Sequence, residues 1–349
     1  MKTSWEYLMK TKELLLSIKK RLLLTGGCGF IGHHTVEHIM ENTDWEVIII
    51  DRLSYAGNQN FLVNMDNWEE YKNRVRFIYH DFRSPFSDLT KNLIGDVDYL
   101  VHMGAESHVD RSIENPMPFA ESNVIGTVNV LDLANDLDVE KMIYISTDEV
   151  YGPAIDGHLH KEGEPHRPSN PYSASKSGAE AFCYAYWNTY GTPVMISNTM
   201  NNIGERQHPE KFLPLTVKKL LRGEPMIVHC KKDDEGNIVD ISSRCWLHAR
   251  NHADGILFLL EHGEPGERYN ISGEWANVEM MVEKVADILN VEYEIVYEDF
   301  HSFRPGHDMH YGLDNTKMKE MGWTPPLSLD ESLRNTVLWM KEHPKWLDW

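Results

Sequence analysis

Cysteine is scarce in this chain: four in 349 residues, Cys28, Cys183, Cys230 and Cys245, widely scattered and without a CxxC pair. That excludes a small disulfide-framed fold and fits a reducing, cytoplasmic setting. Positive charge is short as well. Lys and Arg number 34 against 54 Asp and Glu, a formal charge of -20, which opposes binding to nucleic acid or to an anionic membrane surface. An anionic ligand then needs a few placed cations that override the background. No apolar run approaches the roughly 20 residues of a membrane span, and there is no internal repeat, low-complexity tract or linker rich in Gly, Pro or Ser. The length suits one large α/β unit with a smaller lobe.

The first segment, "MKTSWEYLMKTKELLLSIKK", breaks its apolar runs with Glu6, Glu13 and lysines, which argues against an export signal. Trp5, Leu8, Leu15 and Ile18 recur at near-helical spacing, so residues 1–20 read as an amphipathic helical extension.

From Arg21 short apolar runs alternate with helical patterns: "RLLLT", "EVIII", "VRFIYH", "DYLVHM", "KMIYIS" and "TPVMIS" are the strand-like pieces. Strand and helix in alternation predict a parallel, doubly wound α/β sheet. This places a core at 21–200 and a smaller, mainly substrate-binding lobe at 201–349, with some segments of the lobe returning to the core.

"LLLTGGCGFIGHH" (22–34) leaves a strand, passes Gly26, Gly27, Gly29 and Gly32, and enters a helix. Glycines there let the backbone approach a pyrophosphate at a helix N-terminus, where N–H groups are unpaired and the dipole is positive. Asp51 closes the next strand about 20 residues later, where a carboxylate binds adenosine ribose hydroxyls and repels a 2'-phosphate. The pattern is a Rossmann-type dinucleotide site and favours NAD over NADP, with Arg52 the one dissenting residue. Asp81, closing the following strand in "HD", falls near the adenine amino group on the same logic.

"RPSNPYSASKSGAEAF" (167–182) reads as a helix start with Ser169 and Asn170 as caps and Pro171 in the first turn. Tyr172 and Lys176 are four apart and share a face. A neighbouring ammonium and a positively charged nicotinamide both favour the phenolate of a tyrosine whose ordinary pKa is about 10. "HHTVEH" (33–38) offers His34 and His38 at a zinc-compatible spacing, but without a third ligand it points to no metal.

Together "GGCGFIG", "STDEVYG" and "YSASK" resemble the extended short-chain dehydrogenase/reductase family. "DRLSYAGN", "GAESHVDRSI", "HPEKFLP" and "FRPGHD" narrow the resemblance to nucleotide-sugar 4,6-dehydratases of the dTDP-glucose type. The resemblance implies an NAD site lined by Gly26, Gly29, Phe30, Ile31, Gly32, Asp51, Arg52, Leu53, Ser54, Asp81, Phe82, Ala105 and Ser122 together with Tyr172 and Lys176. It places Glu106, Ser107, His108 and Asn201 beside the sugar, and Lys211, Arg244, Asn277, Arg304 and His307 on the nucleotide diphosphate, with Arg206 a further possibility. It also implies catalysis by Thr147, Asp148, Glu149, Tyr172 and Lys176 on a dTDP- or UDP-glucose, and a homodimer paired through the helix after Tyr172.

The acid pair Asp148 and Glu149 is the specific element. Water elimination across adjacent carbons needs an acid and a base, and close carboxyls separate their pKa values. A hydride-only enzyme needs neither. The competing readings are an NDP-sugar 4-epimerase, a UDP-glucuronate decarboxylase and a catalytically silent nucleotide-binding protein. Two departures from the family pattern stand out: "SSRCWLHARNHA" (242–253) has Cys245 in place of an acid and His248 in place of an aromatic, and "HCKKDDEGNIVDISSR" is longer than the usual connection.

Overall fold

The computed structural model describes residues 19–299 and 308–348. The helix expected over residues 1–20 therefore falls almost wholly outside the described residues, as do Arg304 and His307. The strands in chain order are β1 (Arg21–Thr25), β2 (Glu46–Asp51), β3 (Val75–Tyr79), β4 (Tyr99–His102), β5 (Lys141–Thr147), β6 (Val194–Thr199), β7 (Asn202–Ile203), β8 (Met226–Lys232), β9 (Ile238–Ile241), β10 (Ser243–His248), β11 (Arg268–Ile271), β12 (Glu274–Asn277) and β13 (Ile295–Asp299). The longer helices are α1 (Phe30–Asn42), α2 (Asp88–Ile94), α3 (Gly126–Asp136), α4 (Pro171–Tyr190), α5 (Phe212–Leu221), α6 (Ala249–His262), α7 (Val278–Leu289) and α8 (Leu329–Glu342).

Seven strands form the central sheet in the order β11-β6-β5-β4-β1-β2-β3, and every pairing is parallel. Strands covered on both faces read as continuous apolar runs, which is why "LLLT" and "VIII" lack polar alternation. Successive side chains still point to opposite faces. Leu22, Leu24, Val47 and Ile49 join one core with Val36 and Ile39 of α1 and Ile256 and Leu259 of α6. Leu23, Ile48, Ile50 and Tyr144 join the other with Val130 of α3 and Ala179 and Cys183 of α4.

Helix boundaries follow local chemistry. α4 opens with a capping box in which Asn170 accepts from the Ser173 amide and Ser173 accepts from the Asn170 amide, with Pro171 in the first turn, and it ends at Gly191 with φ 72°. α1 begins differently. Its N-cap is Gly29, no side chain caps it, and its first turn holds no acid, so the N–H groups at that end are available to an anion.

Two three-stranded sheets, β12-β10-β7 and β13-β8-β9, lie beyond the central one. With α5, α7 and α8 they enclose a third core containing Leu213, Val217, Trp246, Val282 and Leu333. The long connection "HCKKDDEGNIVDISSR" becomes the antiparallel β8–β9 pair. Its turn is shaped by Asp233, which accepts from the Glu235 and Asn237 amides, and by Gly236 at φ 87°. β11 and α6 rejoin the central sheet from this later part of the chain.

The strand order reverses between β1 and β4, and in open α/β sheets that reversal leaves a crevice at the carboxyl ends of the strands. Leu24 sits wholly buried in the sheet beside it. Leu24→Ala should lower the unfolding free energy by about 2–5 kcal/mol, read from urea denaturation; a loss well under ~1 kcal/mol would mean that this layer is not close-packed.

Candidate active site

Backbone meets backbone at the floor of the crevice. Gly26 has φ +76°, and a Cβ there would lie 2.7 Å from the Gly104 Cα; a Cβ on Gly32 would lie 2.1 Å from the Gly26 carbonyl oxygen. Only glycine fits either position, so the β1–α1 turn is held open for a ligand that touches main chain. Asp51 closes β2 with Oδ2 accepting from the Cys28 amide at 3.0 Å and Oδ1 from the Leu53 amide at 2.8 Å. Burial pushes its carboxyl up and those backbone donors pull it back, and an ionised carboxylate retains lone pairs for two ribose hydroxyls.

A cavity of about 370 Å³ runs from this turn to the end of β5. Gly26, Gly29, Phe30, Ile31, Gly32, Asp51, Arg52, Ser54, Phe82, Ala105, Ser122, Tyr172 and Lys176 all line it. The uncapped helix end, the glycine cradle and the carboxylate together fit the pyrophosphate and ribose of a dinucleotide. Leu53 does not line the cavity; at φ 54° its amide donates to Asp51. Asp81 does not line the cavity, because Arg83 holds its carboxylate at 2.6 Å and Arg52 stands 3.6 Å away. Glu106 is likewise drawn off, into an ion pair with Arg52. That pair neutralises the cation that had spoken for a 2'-phosphate.

At the other end of the cavity the chain solves a geometric problem. Adjacent residues on a strand face opposite ways, yet Asp148 and Glu149 both line this one space. They do so because β5 ends at Thr147 and residues 148–150 form a single 3-10 turn, N-capped by the Thr147 hydroxyl, which accepts from the Glu149 amide. Asp148 Oδ1 accepts from that hydroxyl at 2.9 Å, while Oδ2 is buried with no hydrogen-bond partner among the described residues. Glu149 Oε2 accepts from Asn170 Nδ2 at 3.0 Å.

The two acids differ in their surroundings. Burial, reinforced by the charge of Glu149, pushes the Asp148 carboxyl up to about 7. Burial raises Glu149 too, but the Asn170 amide and the field of Arg244 oppose it. Unlike surroundings of this kind suit one carboxyl to donate a proton and the other to accept one.

Tyr172 shares this space, and burial together with Glu149 and Asp148 pushes its phenol up, against a hydrogen bond from Thr147. Lys176 Nζ donates to the Ile145 carbonyl at 2.6 Å and lies 4.3 Å from the Tyr144 ring centroid. Burial lowers its ammonium to about 8 while Glu180 resists. In the protein alone the phenol is therefore neutral; the ammonium expected to favour the phenolate is turned to a carbonyl.

On the substrate side Ser107, Asn201 and Lys211 line the cavity. His108 instead caps the helix 109–114 and stands 3.6 Å from Glu210. Arg244 clamps the segment after residue 307: its guanidinium donates to the carbonyls of Ser243, Asp308 and Met309 and covers the Tyr311 ring at 4.4 Å. Asn277 does not reach the cavity, since its side-chain oxygen caps α7 by accepting from the Met280 amide. Arg206 donates to the Asn64 carbonyl, away from the lining. Sequence reasoning missed Tyr55, His208 and Glu210, which do line the cavity. They sit on irregular segments whose only signal was the quoted "HPEKFLP" and "DRLSYAGN" runs.

Comparison with known proteins supplies the deciding observation. Residues 23–336 match the family model described as GDP-mannose 4,6 dehydratase. The chain belongs to that family. It is 37% identical over 318 residues to the low-salt glycan biosynthesis protein Agl12 of Haloferax volcanii, covering 90% of this chain and 97% of that protein. It is 35% identical over 345 residues to the dTDP-glucose 4,6-dehydratase of Haemophilus influenzae, covering 91% and 97%. The crystal structure of DesIV, a dTDP-glucose 4,6-dehydratase from Streptomyces venezuelae with NAD and TYD bound, superposes with a TM-score of 0.81 at 38% identity, over 93% of this chain and 98% of that one.

Within this nucleotide-sugar 4,6-dehydratase of the extended short-chain dehydrogenase/reductase type, the departures settle below the site. Cys245 is packed with Val150, Tyr151, Met200 and Leu313. His248 caps α6 and lies 3.2 Å from Glu205.

Gly32→Ala should weaken NAD affinity at least ~10-fold, measured by calorimetry on a variant with an unchanged circular dichroism spectrum; unaltered affinity would move the pyrophosphate elsewhere. Asp148 offers a test of its own titration. A folded pKa of about 7 against an unfolded value of about 3.9 gives stabilisation that is fully present below about pH 4 and is lost as pH rises through about 7. The melting temperature of the wild type should therefore fall relative to Asp148→Asn between those pH values. A constant difference would show that this carboxyl is not raised.

Proposed function

We propose that the chain dehydrates an NDP-glucose, with thymidine or uridine as the nucleoside, to the NDP-4-keto-6-deoxy sugar. The observation that carries this reading is the unequal acid pair: two carboxyls wound into one cavity beside Tyr172, one of them able to hold a proton near pH 7.

NAD held by the Gly26–Gly32 turn and Asp51 would supply the hydride acceptor for C4 and the hydride returned at C6. The protein's own groups do the proton work. Tyr172, supported by the Thr147 hydroxyl, takes the proton of the C4 hydroxyl. The positive charge that NAD would bring favours the phenolate, and Lys176, which lines the same cavity, adds positive potential. Once C4 is a ketone the C5 hydrogen is acidic. Glu149 removes it, and Asp148 gives its proton to the C6 hydroxyl so that water departs. Glu149 then returns a proton to C5. Burial serves these steps twice, by favouring the protonated form of Asp148 and by excluding water from the oxidised sugar.

Lys211, Arg244, Arg304 and His307 are proposed to hold the diphosphate, with residues 201–349 supplying most of the nucleotide contacts and residues 21–200 the NAD contacts. An epimerase or decarboxylase has no use for a protonated acid at C6. The partner we propose is a second copy of the chain, docked through α4, whose Phe182, Tyr184, Trp187 and Tyr190 are 41, 50, 37 and 66% exposed. No helix among the described residues is long and apolar enough to cross a membrane, and the free, buried cysteines favour the cytoplasm.

The test is incubation with NAD and dTDP-glucose, and separately UDP-glucose, in deuterated water. Loss of one water and gain of one deuterium at C5 are expected, the faster substrate identifying the base. Glu149→Gln should slow water loss by about 10²–10⁴-fold with sugar-nucleotide affinity changed only a few-fold. A new epimer of unchanged mass, or no turnover of either sugar, would overturn the proposal.

A further inference from the structure

A second cluster of ligand-type side chains lies outside the cavity, on the loop that joins the Asp148–Val150 turn to α4. His158 Nε2 is 3.0 Å from Glu164 Oε1, and His160 Nδ1 is 2.7 Å from Glu164 Oε2. One ligand atom from each of the three residues lies within 4.8 Å of the others, the one such grouping of His, Cys, Asp or Glu among the described residues. We propose that His158, His160 and Glu164 form a binding site for one divalent transition metal ion of the zinc class.

The geometry is close to what such an ion needs. With metal–ligand bonds of roughly 2.0–2.1 Å, tetrahedral ligand atoms stand about 3.4 Å apart. The carboxylate already sits near that distance from both nitrogens, so rotation of the exposed His158 ring completes the approach. Two imidazoles and one carboxylate favour zinc over magnesium or calcium, which prefer all-oxygen sites. The remaining coordination position falls on the solvent side, where His158 is exposed, and a water can fill it.

The ligands are also held in place. The His160 ring stacks on Tyr151 at 5.3 Å and 13°, and its backbone is pinned by bonds from its amide to the Gly312 carbonyl and from the Asp314 amide to its own carbonyl. His160 Nε2 is buried without a partner among the described residues, so Nδ1 is the ring's polar outlet. Glu164 also accepts from the Lys161 amide at 3.0 Å, so its carboxylate is fixed between the two imidazoles, and a metal takes the place of the imidazole protons it now accepts. The sequence reading pointed to no metal because it weighed His34 and His38 alone; "HLHKEGE" (158–164) lies on an irregular loop where no helical spacing announces a site.

An ion here would stiffen the strap between the acid turn and Asn170, which caps α4 and donates to Glu149. The test uses the untagged full chain, stripped with a chelator, desalted and titrated with Zn2+ against a chromophoric zinc indicator. One equivalent per chain is expected, with a raised melting temperature and no corresponding response to Mg2+. His158→Ala and Glu164→Gln, both at solvent-accessible side chains, should each weaken zinc binding at least ~10-fold and abolish the melting shift. His262→Ala, an exposed histidine elsewhere, should change neither. No bound equivalent in the wild type, or equal affinity in the wild type and both loop variants, would overturn the proposal.

Discussion

One buried carboxylate holds together the elements whose ends form the catalytic half of the cavity. Glu180, on α4, accepts from Ser146 at 2.5 Å and from Asn198 at 2.8 Å, and pairs with Arg268 at 2.7 Å. Those partners belong to β5, β6 and β11, three adjacent strands of the sheet. Asn198 also donates to the Thr147 carbonyl at 3.1 Å, so the same network reaches the residue where β5 gives way to the acid turn. Lys176 is one turn earlier on α4 and feels Glu180 as the charge that resists loss of its proton. A buried ion pair of this kind adds little stability by itself. Its value lies in register: Arg268 and Glu180 cannot separate without leaving a charge uncompensated, so strand ends and helix are fixed relative to one another.

That rigidity matters because the chemistry proposed here depends on unequal titration, and unequal titration depends on distance. Asp148 and Glu149 are consecutive, so their mutual repulsion is unavoidable. What separates them is what each accepts. Glu149 receives an amide from Asn170, whereas Asp148 leaves one oxygen buried and bare. Burial, with Glu149 and Asp148 behind it, holds the Tyr172 phenol up, so a site suited to elimination resists the proton abstraction that must precede it. In the proposed reading, the positive charge of NAD held in the glycine cradle would oppose that rise.

The sheet, its parallel sense and the dinucleotide turn were legible in the sequence because they obey short-range rules: apolar runs between helices, glycines at a strand–helix junction, an acid at the next strand's end. The tyrosine–lysine helix was legible for the same reason. The substrate side was not. Tyr55, His208 and Glu210 reach the cavity from loops, where no periodicity marks them. Asn277 matched a family position, yet its amide is engaged in capping α7. Asp81 and Glu106 were read as ligands, but Asp81 is claimed by Arg83, its neighbour in the chain, and Glu106 by Arg52, which the sequence could not place next to it. Pattern locates backbone geometry; the partner of a charged side chain is a tertiary fact.

Those claimed charges bear on how an acidic protein binds an acidic ligand. At a formal charge of -20, cations near the cavity already have anionic neighbours: Arg52 has Glu106, and Lys211 and Arg111 both approach Glu210 at 3.9 and 3.8 Å. In the proposed reading, a diphosphate arriving beside Lys211 would not meet a bare cation. It would exchange one anion for another, and phosphate brings more charge and more acceptor oxygens than the carboxylate it would displace. Burial lowers the Lys211 ammonium while the charge of Glu210 opposes it. In the proposed reading the carboxylate is a placeholder for the ligand, and the acidic background then favours a nucleoside diphosphate, which can make that exchange, over a weakly charged sugar, which cannot.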